Sequence, residues 1–223
     1  MSKRIIICFI LVGFFLNINV GFAREPANLD VIKSSLMKYH DSGEYQKDQA
    51  KVIDQAMQYL KTQLEKEQRI KSGKKFAIVL DIDETSLSNY PDMVRMRFGG
   101  SLSQMIAAED QGADPVIKPT LKLYRYAKAN HVAVFFITGR TERERAATEK
   151  NLINAGFQHW DGLIMKPDGY QPKSAAFYKT DARSNIEKQG YTIVLNIGDQ
   201  QSDLLGGYAE KTFKLPNPYY LIP

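Results

Sequence analysis

Two aspartates stand at the tip of an apolar run: Phe76-Ala77-Ile78-Val79-Leu80 leads directly into Asp81-Ile82-Asp83-Glu84-Thr85. Burying an ionised carboxylate without a partner is costly, so a buried strand has no structural use for acids at its end. Open α/β sheets, by contrast, bind ligands just beyond the carboxyl ends of their strands. Asp81 and Asp83 are therefore read as working groups aimed into a crevice; the competing reading is a strand end dissolving into a polar loop. Two later apolar runs end in the same manner, Val132 to Ile137 in Thr138-Gly139-Arg140 and Tyr191 to Ile197 in Gly198-Asp199-Gln200-Gln201-Ser202-Asp203. In a parallel sheet all three ends share one edge. Carboxylates gathered there repel unless a cation sits among them, and hard oxygen ligands without Cys or His favour Mg²⁺ over zinc or copper. Asp81 with Asp199 can hold such an ion, Thr138 with backbone N–H groups can take phosphate oxygens, and a lysine would offset the remaining charge. That set describes phosphoryl transfer through an aspartyl-phosphate.

The elements that must position these groups are legible as an alternation. A helical pattern covers 27–72, broken at Ser42-Gly43, with Leu29, Ile32 and Leu36 on one face and Tyr45, Val52, Ile53, Ala56, Met57, Leu60 and Leu64 on the next, stopped at Gly73. These helices read as packing or cap elements. After the strand ending at Leu80, residues 86–118 have weak periodicity and read either as a lid beside the site or as an ordinary long connection. Pro119 opens a helix to Asn130. Then come the strand Val132–Ile137, a helix capped by Thr141 with Glu144 and stopped at Gly156, a short strand Gly162–Met165, a helix from Lys173 to Gln189, the strand Tyr191–Ile197, and a fifth candidate strand from Lys211 to Leu215. Strands alternating with helices imply a parallel sheet with right-handed crossovers, an α/β fold.

The composition fits one domain with a real core: 223 residues, 43% hydrophobic and 25% charged. The net charge of +5 is mild and comes with no block of five or six like charges, which speaks against nucleic-acid binding. Residues 1–23 have a basic start, an apolar stretch and the small residues Gly21 and Ala23, the layout of a cleaved signal peptide. The alternative is an uncleaved membrane anchor. The only cysteine, Cys8, lies in this stretch, so the mature chain would have no disulfide and a net charge near +3 once Lys3 and Arg4 are gone. A periplasmic or secreted location, without disulfides, is expected for residues 24–223.

The four motifs Asp81-Ile82-Asp83-Glu84-Thr85, Phe135-Phe136-Ile137-Thr138-Gly139-Arg140, Tyr178-Lys179-Thr180-Asp181-Ala182-Arg183 and Asn196-Ile197-Gly198-Asp199-Gln200-Gln201-Ser202-Asp203 resemble those of the haloacid dehalogenase superfamily. More narrowly, they are similar to the class B and class C acid phosphatases with four motif aspartates and to the related plant vegetative storage proteins. Leu215-Pro216-Asn217-Pro218-Tyr219-Tyr220 also matches the branch with the class C and plant proteins. The resemblance runs from Phe76 to the C-terminus. It implies a Rossmannoid parallel sheet with helices on both faces, to which the pattern adds the N-terminal helical segment and a small cap-like insertion over 86–118. It implies, too, that Asp81 attacks phosphorus, Asp83 is the acid and then the base while its backbone carbonyl meets Mg²⁺, Thr138 hydrogen-bonds the phosphoryl group, Lys179 neutralises charge, Asp199 is a metal ligand, and Asp203 orients a metal-bound water or ligates through it. Such chemistry asks that Asp83 titrate near the working pH.

Lys173 competes with Lys179, which fits the third motif better. Arg140 either touches substrate or pairs with a glutamate of the Glu142-Arg143-Glu144 stretch, the second being favoured because surface pairs are common. Tyr90, Tyr219 and Tyr220 are candidates for an aromatic pocket suited to a nucleotide base or aryl group. His40, His131 and His159 show no triad or metal spacing and read as structural or surface residues. The expectation is an exported Mg²⁺-dependent acid phosphatase acting on small phosphomonoesters, with no nucleic-acid partner and no stable membrane anchor. A weakly active storage or binding protein of the same fold and a phosphotransferase are the alternatives. The resemblance allows a homo-oligomer, related enzymes being often dimers or tetramers.

Overall fold

The computed structural model describes residues 25–171 and 174–222. The expected signal peptide, Cys8 and Lys173 lie outside them. Five strands form one parallel sheet: β1 Lys75–Leu80, β2 Ala133–Thr141, β3 Gly162–Lys166, β4 Tyr191–Gly198 and β5 Lys211–Lys214, in the order β3-β2-β1-β4-β5. The chain builds outward from β1 through β2 to β3, then returns to the other side of β1 for β4. Strand order therefore reverses at the β1/β4 pair, where an open α/β sheet leaves a crevice at its carboxyl edge. The α/β fold expected from the alternating pattern is the one observed.

Residues alternate between the two faces of each strand. Ile78, Leu80, Val134 and Phe136 meet helices α2 Glu44–Ile70, α5 Lys118–Ala129 and α6 Arg145–Ala155 on one face. Ala77, Val79, Ala133, Phe135 and Ile137 meet α7 Ala176–Lys188 on the other, through Tyr178, Ala182 and Ile186. Both sides of the sheet are thus covered, and a strand buried on both faces reads as an unbroken apolar run, as β1 does.

Several boundaries differ from the sequence pattern for local reasons. β2 runs on through Thr138, Gly139 and Arg140, because pairing resumes at Thr141↔Lys166 after an irregularity beyond Ile137. Helix α2 stops at Ile70, three residues before Gly73: Lys71 takes the left-handed conformation (φ 55°), and the Glu67 carboxylate accepts from Ser72 Oγ and Gly73 N. The Thr141/Glu144 capping box forms as read, although it opens a short 3-10 turn before α6, which ends at Gly156 with φ 97°. The helix expected from Lys173 begins at Ala176. The first helix, α1 Leu29–Asp41, buries no residue, and Leu29 and Ile32 of its expected packing face stand 63% and 41% exposed. The 86–118 insertion is not irregular throughout: it holds α3 Tyr90–Arg95 and α4 Leu102–Glu109, the latter with a Ser101/Gln104 capping box. A final turn, α8 Gln201–Leu204, follows β4.

Candidate active site

The tips of β1 and β4 bring three carboxylates together. Asp81, Asp199 and Asp203 each offer an oxygen lying within 4.8 Å of the others, and all three residues are buried. The backbone holds the first two in step, since Asp81 N donates to Ile197 O at 2.9 Å. Asp203 is turned inward by α8: its Oδ2 accepts from Gln200 N at 2.8 Å. Gly198 leaves room for it, because a Cβ there would lie 2.3 Å from Asp203 Oδ2.

Lys179, on α7, answers this charge. Its Nζ donates to Asp81 Oδ1 at 2.7 Å and to Asp203 Oδ1 at 2.5 Å, with its side chain 5% exposed. Burial alone would push the ammonium down, but Asp203 and Asp81 outweigh it and hold Lys179 well above the ordinary lysine range. Asp81 is pushed up by burial and by Asp203, with only Lys179 pulling it back. Asp199 rises to about 6 through burial and Asp203. One ammonium for three buried carboxylates leaves a charge deficit. All-oxygen donors with no His or Cys among them fit a hard dication such as Mg²⁺, which would relieve the same repulsion that raises Asp81 and Asp199.

Asp83 lies apart from that triad. Its carboxylate accepts from Arg140 Nη2 at 2.7 Å and Nε at 3.1 Å, and from Asn89 Nδ2 at 3.0 Å. Arg140 also reaches Asp114 Oδ2 at 2.8 Å, and its side chain is 1% exposed. Neither sequence reading of Arg140 describes this: the partner is not a neighbouring glutamate but the second motif aspartate, 57 positions away. Burial raises Asp83, yet the Arg140 charge and hydrogen bonds with the Asn89 donor win, so its carboxyl sits below the usual range rather than near neutrality. Thr138 is fully buried; its Oγ1 accepts from Arg140 N at 3.1 Å and its carbonyl from Tyr178 OH at 2.9 Å. With one lone pair so used, the Thr138 O–H remains a donor.

The description "HAD superfamily, subfamily IIIB (Acid phosphatase)" matches residues 19–223. The chain belongs to this family. Among curated relatives, acid phosphatase 1 of Solanum lycopersicum is 40% identical over 148 residues, covering 65% of this chain and 58% of that protein. The stem 28 kDa glycoprotein of Glycine max is 36% identical over 191 residues, covering 83% of this chain and 73% of that protein. The chain thus spans rather more than half the length of the tomato protein. Among solved structures, the class C acid phosphatase from Bacillus anthracis superposes with a TM-score of 0.70 over 86% of each chain at 23% identity, a likeness of fold.

In this subfamily IIIB member the insertion roofs the site. A cavity of about 520 Å³ runs from Asp81, Asp83, Lys179, Asp199 and Asp203 outward between the insertion and the C-terminal segment. Met93, Met96, Phe98, Met105 and Ile106 form its apolar wall, and Tyr219 and Tyr220 its other side. Tyr90 is not in that lining. It packs beneath, stacked on His40 with ring centroids 3.4 Å apart and donating to Asp41 at 2.9 Å. His131 and His159 sit in turns with φ 58° and 63°. A larger open hollow of about 640 Å³ lies at the opposite edge of the sheet, beside Lys75, Val132 and Tyr191, and holds no motif aspartate.

Glu84 is the residue whose importance the sequence pattern hides. It is fully buried with φ 52°, and its carboxylate accepts from Tyr45 OH and Asn89 N, each at 2.6 Å. Burial pushes it up to about 8. Tyr45 belongs to α2, so this contact ties the N-terminal helices to the loop after β1. Only the acidic motif itself signals Glu84 in the sequence; its partner lies 39 positions upstream. Among the described residues, no helix is long and apolar enough to cross a membrane.

Proposed function

We propose that the protein is an exported, Mg²⁺-dependent acid phosphatase that hydrolyses small phosphomonoesters through an aspartyl-phosphate on Asp81. The observation that carries this reading is the Lys179 ammonium shared between Asp81 and Asp203, with Asp199 beside them, at the reversal point of the sheet. Asp81, Asp199 and Asp203, with the main-chain carbonyl of Asp83, would hold the Mg²⁺. When bound, the ion supplies charge neutralisation and polarises a phosphoryl oxygen.

Asp81 attacks phosphorus while the bond to the ester oxygen breaks, and the departing oxygen takes the proton of Asp83. Thr138, through its free O–H, and Lys179 stabilise the charge on the transferring group. In the second half, Asp83 takes a proton from water, the hydroxyl oxygen bonds to phosphorus, and the bond to Asp81 breaks to release phosphate. Because Arg140 holds Asp83 below the usual carboxylate range, its protonated form belongs to acidic solution, which favours an acidic optimum. An arriving phosphate dianion opposes ionisation of Asp83 and moves it back toward the pH at which it must act.

The apolar wall of methionines and Phe98 facing Tyr219 and Tyr220 favours an aryl or nucleoside leaving group. The test is phosphate release by purified protein from aryl, nucleotide and alkyl phosphates, with Mg²⁺ and with chelator, at acidic and neutral pH. Turnover with Mg²⁺ that disappears with chelator and in Asp81→Asn is expected. No release from any ester under any condition would overturn the reading and leave a storage or binding protein of the same fold; transfer to added glycerol in place of hydrolysis would make the protein a phosphotransferase.

A further inference from the structure

We propose that the C-terminal segment from Asn217 to Ile222 positions Asp199 for the divalent cation, with Asn217 as its anchor; this rests on the cation reading above. Asp199 is 2% exposed and carries its carboxylate on a torsion with a broad, two-fold preference, so nothing intrinsic fixes which oxygen faces the triad. Two neutral donors fix it. Asp199 Oδ2 accepts from Gln200 Nε2 at 2.6 Å and from Asn217 Nδ2 at 2.7 Å, which fills both of its lone-pair directions. Among the described residues Oδ1 meets only the long Thr85 Oγ1 contact at 3.3 Å, and so keeps a lone pair for a cation.

The Asn217 amide cannot swing away, because its own Oδ1 accepts from Tyr219 N at 2.9 Å, a local turn that leaves Nδ2 pointing at Asp199. Pro216 and Pro218 flank it and restrict the backbone on both sides. Upstream, Leu215 is fully buried and donates its N–H to Gly198 O at 2.9 Å. Downstream, Ile222 N donates to Gln200 Oε1 at 3.0 Å, so the segment also orients the second donor. A lysine in either place would satisfy the same oxygen but compete with the cation. Amides hold the ligand without that competition, as outer hydrogen-bond partners of metal ligands do.

The test is calorimetric titration of the purified protein with Mg²⁺, for wild type and Asn217→Ala, together with melting temperatures with and without Mg²⁺. Asn217→Ala is expected to raise the Mg²⁺ dissociation constant about 10–100-fold, to shrink the Mg²⁺-dependent rise in melting temperature, and to approach wild-type kcat when Mg²⁺ is raised to saturation. An unchanged dissociation constant, with or without a lower Mg²⁺-free melting temperature, would make Asn217 a brace for the segment and overturn the inference. If Asn217→Ala does not fold, Gln200→Leu removes the other donor to the same oxygen and is read by the same titration, with weakened binding supporting the inference and unchanged binding overturning it. A wild-type protein that binds neither Mg²⁺ nor Mn²⁺ would instead overturn the cation reading itself.

Discussion

Replacing Arg140 with methionine keeps most of the side chain's length and none of its charge, and should produce two separable losses. The guanidinium contacts Asp83 three times between 2.7 and 3.3 Å and Asp114 once at 2.8 Å. Without it, Asp114 keeps a side chain only 3% exposed and Asp83 one 17% exposed. Removing one partner of a buried pair costs about 3–5 kcal/mol. Protonation of Asp114 and the partial exposure of Asp83 soften this, so a loss of about 3 kcal/mol in urea unfolding is expected. The kinetic loss should depend on the leaving group. Asn89 still holds Asp83 by one hydrogen bond at 3.0 Å, so orientation is impaired and not abolished. General acid catalysis is worth about 10²–10⁴-fold, and kcat/KM reads only the steps up to the phosphorylated Asp81. For an alkyl phosphate, whose oxygen must leave with a proton, kcat/KM should fall about 100-fold; for p-nitrophenyl phosphate, whose oxygen leaves without one, less than about 10-fold. Equal losses on the two esters, or none on either, would refute the argument and reduce Arg140 to a structural brace.

Three further outcomes follow from the same geometry. Gly198→Ala would drive a Cβ to 2.3 Å from Asp203 Oδ2; it should cost about 1–3 kcal/mol in thermal or urea unfolding and weaken Mg²⁺ binding measured by calorimetry. Lys179→Met leaves Asp81 and Asp203 facing each other without a cation, so turnover should fall at least about 10²–10³-fold, while added Mg²⁺ should raise the melting temperature of the variant more than that of wild type. Asp114, raised by burial to about 6 against an ordinary 3.8, binds its proton more tightly folded than unfolded. Its contribution to stability is therefore greatest below about pH 4 and declines as pH rises to about 6, by up to about 3 kcal/mol. Urea unfolding at pH 4, 5, 6 and 7 should show Asp114→Asn gaining on wild type across that window, and a parallel pair of curves would refute this.

The strands, their parallel arrangement and the edge that gathers the aspartates were legible because each depends on short-range pattern: an apolar run closing in acids, a Thr141/Glu144 cap, a stop at Gly156. What was not legible is pairing across long separations. Arg140 joins Asp83 from 57 positions away, Asn217 joins Asp199 from 18, and Tyr45 joins Glu84 from 39. In each case the residue type allows several partners, and only the folded sheet selects one. The extension of β2 past Ile137 was hidden for a related reason: Thr138-Gly139-Arg140 has loop-like composition, and its place in the strand depends on Thr141 finding Lys166 on β3. The apolar face of α1 misled in the opposite direction, since Leu29 and Ile32 have helical spacing but meet no covering element among the described residues.

The Tyr45–Glu84 contact makes the loop after β1 answer to a helix that precedes it in the chain. Without α2 the buried Glu84 carboxylate would lose the Tyr45 hydroxyl and keep only its local partners Asn89 N and Ser88 Oγ. A chain cut back to begin at β1 would lack the donor that settles this buried acid.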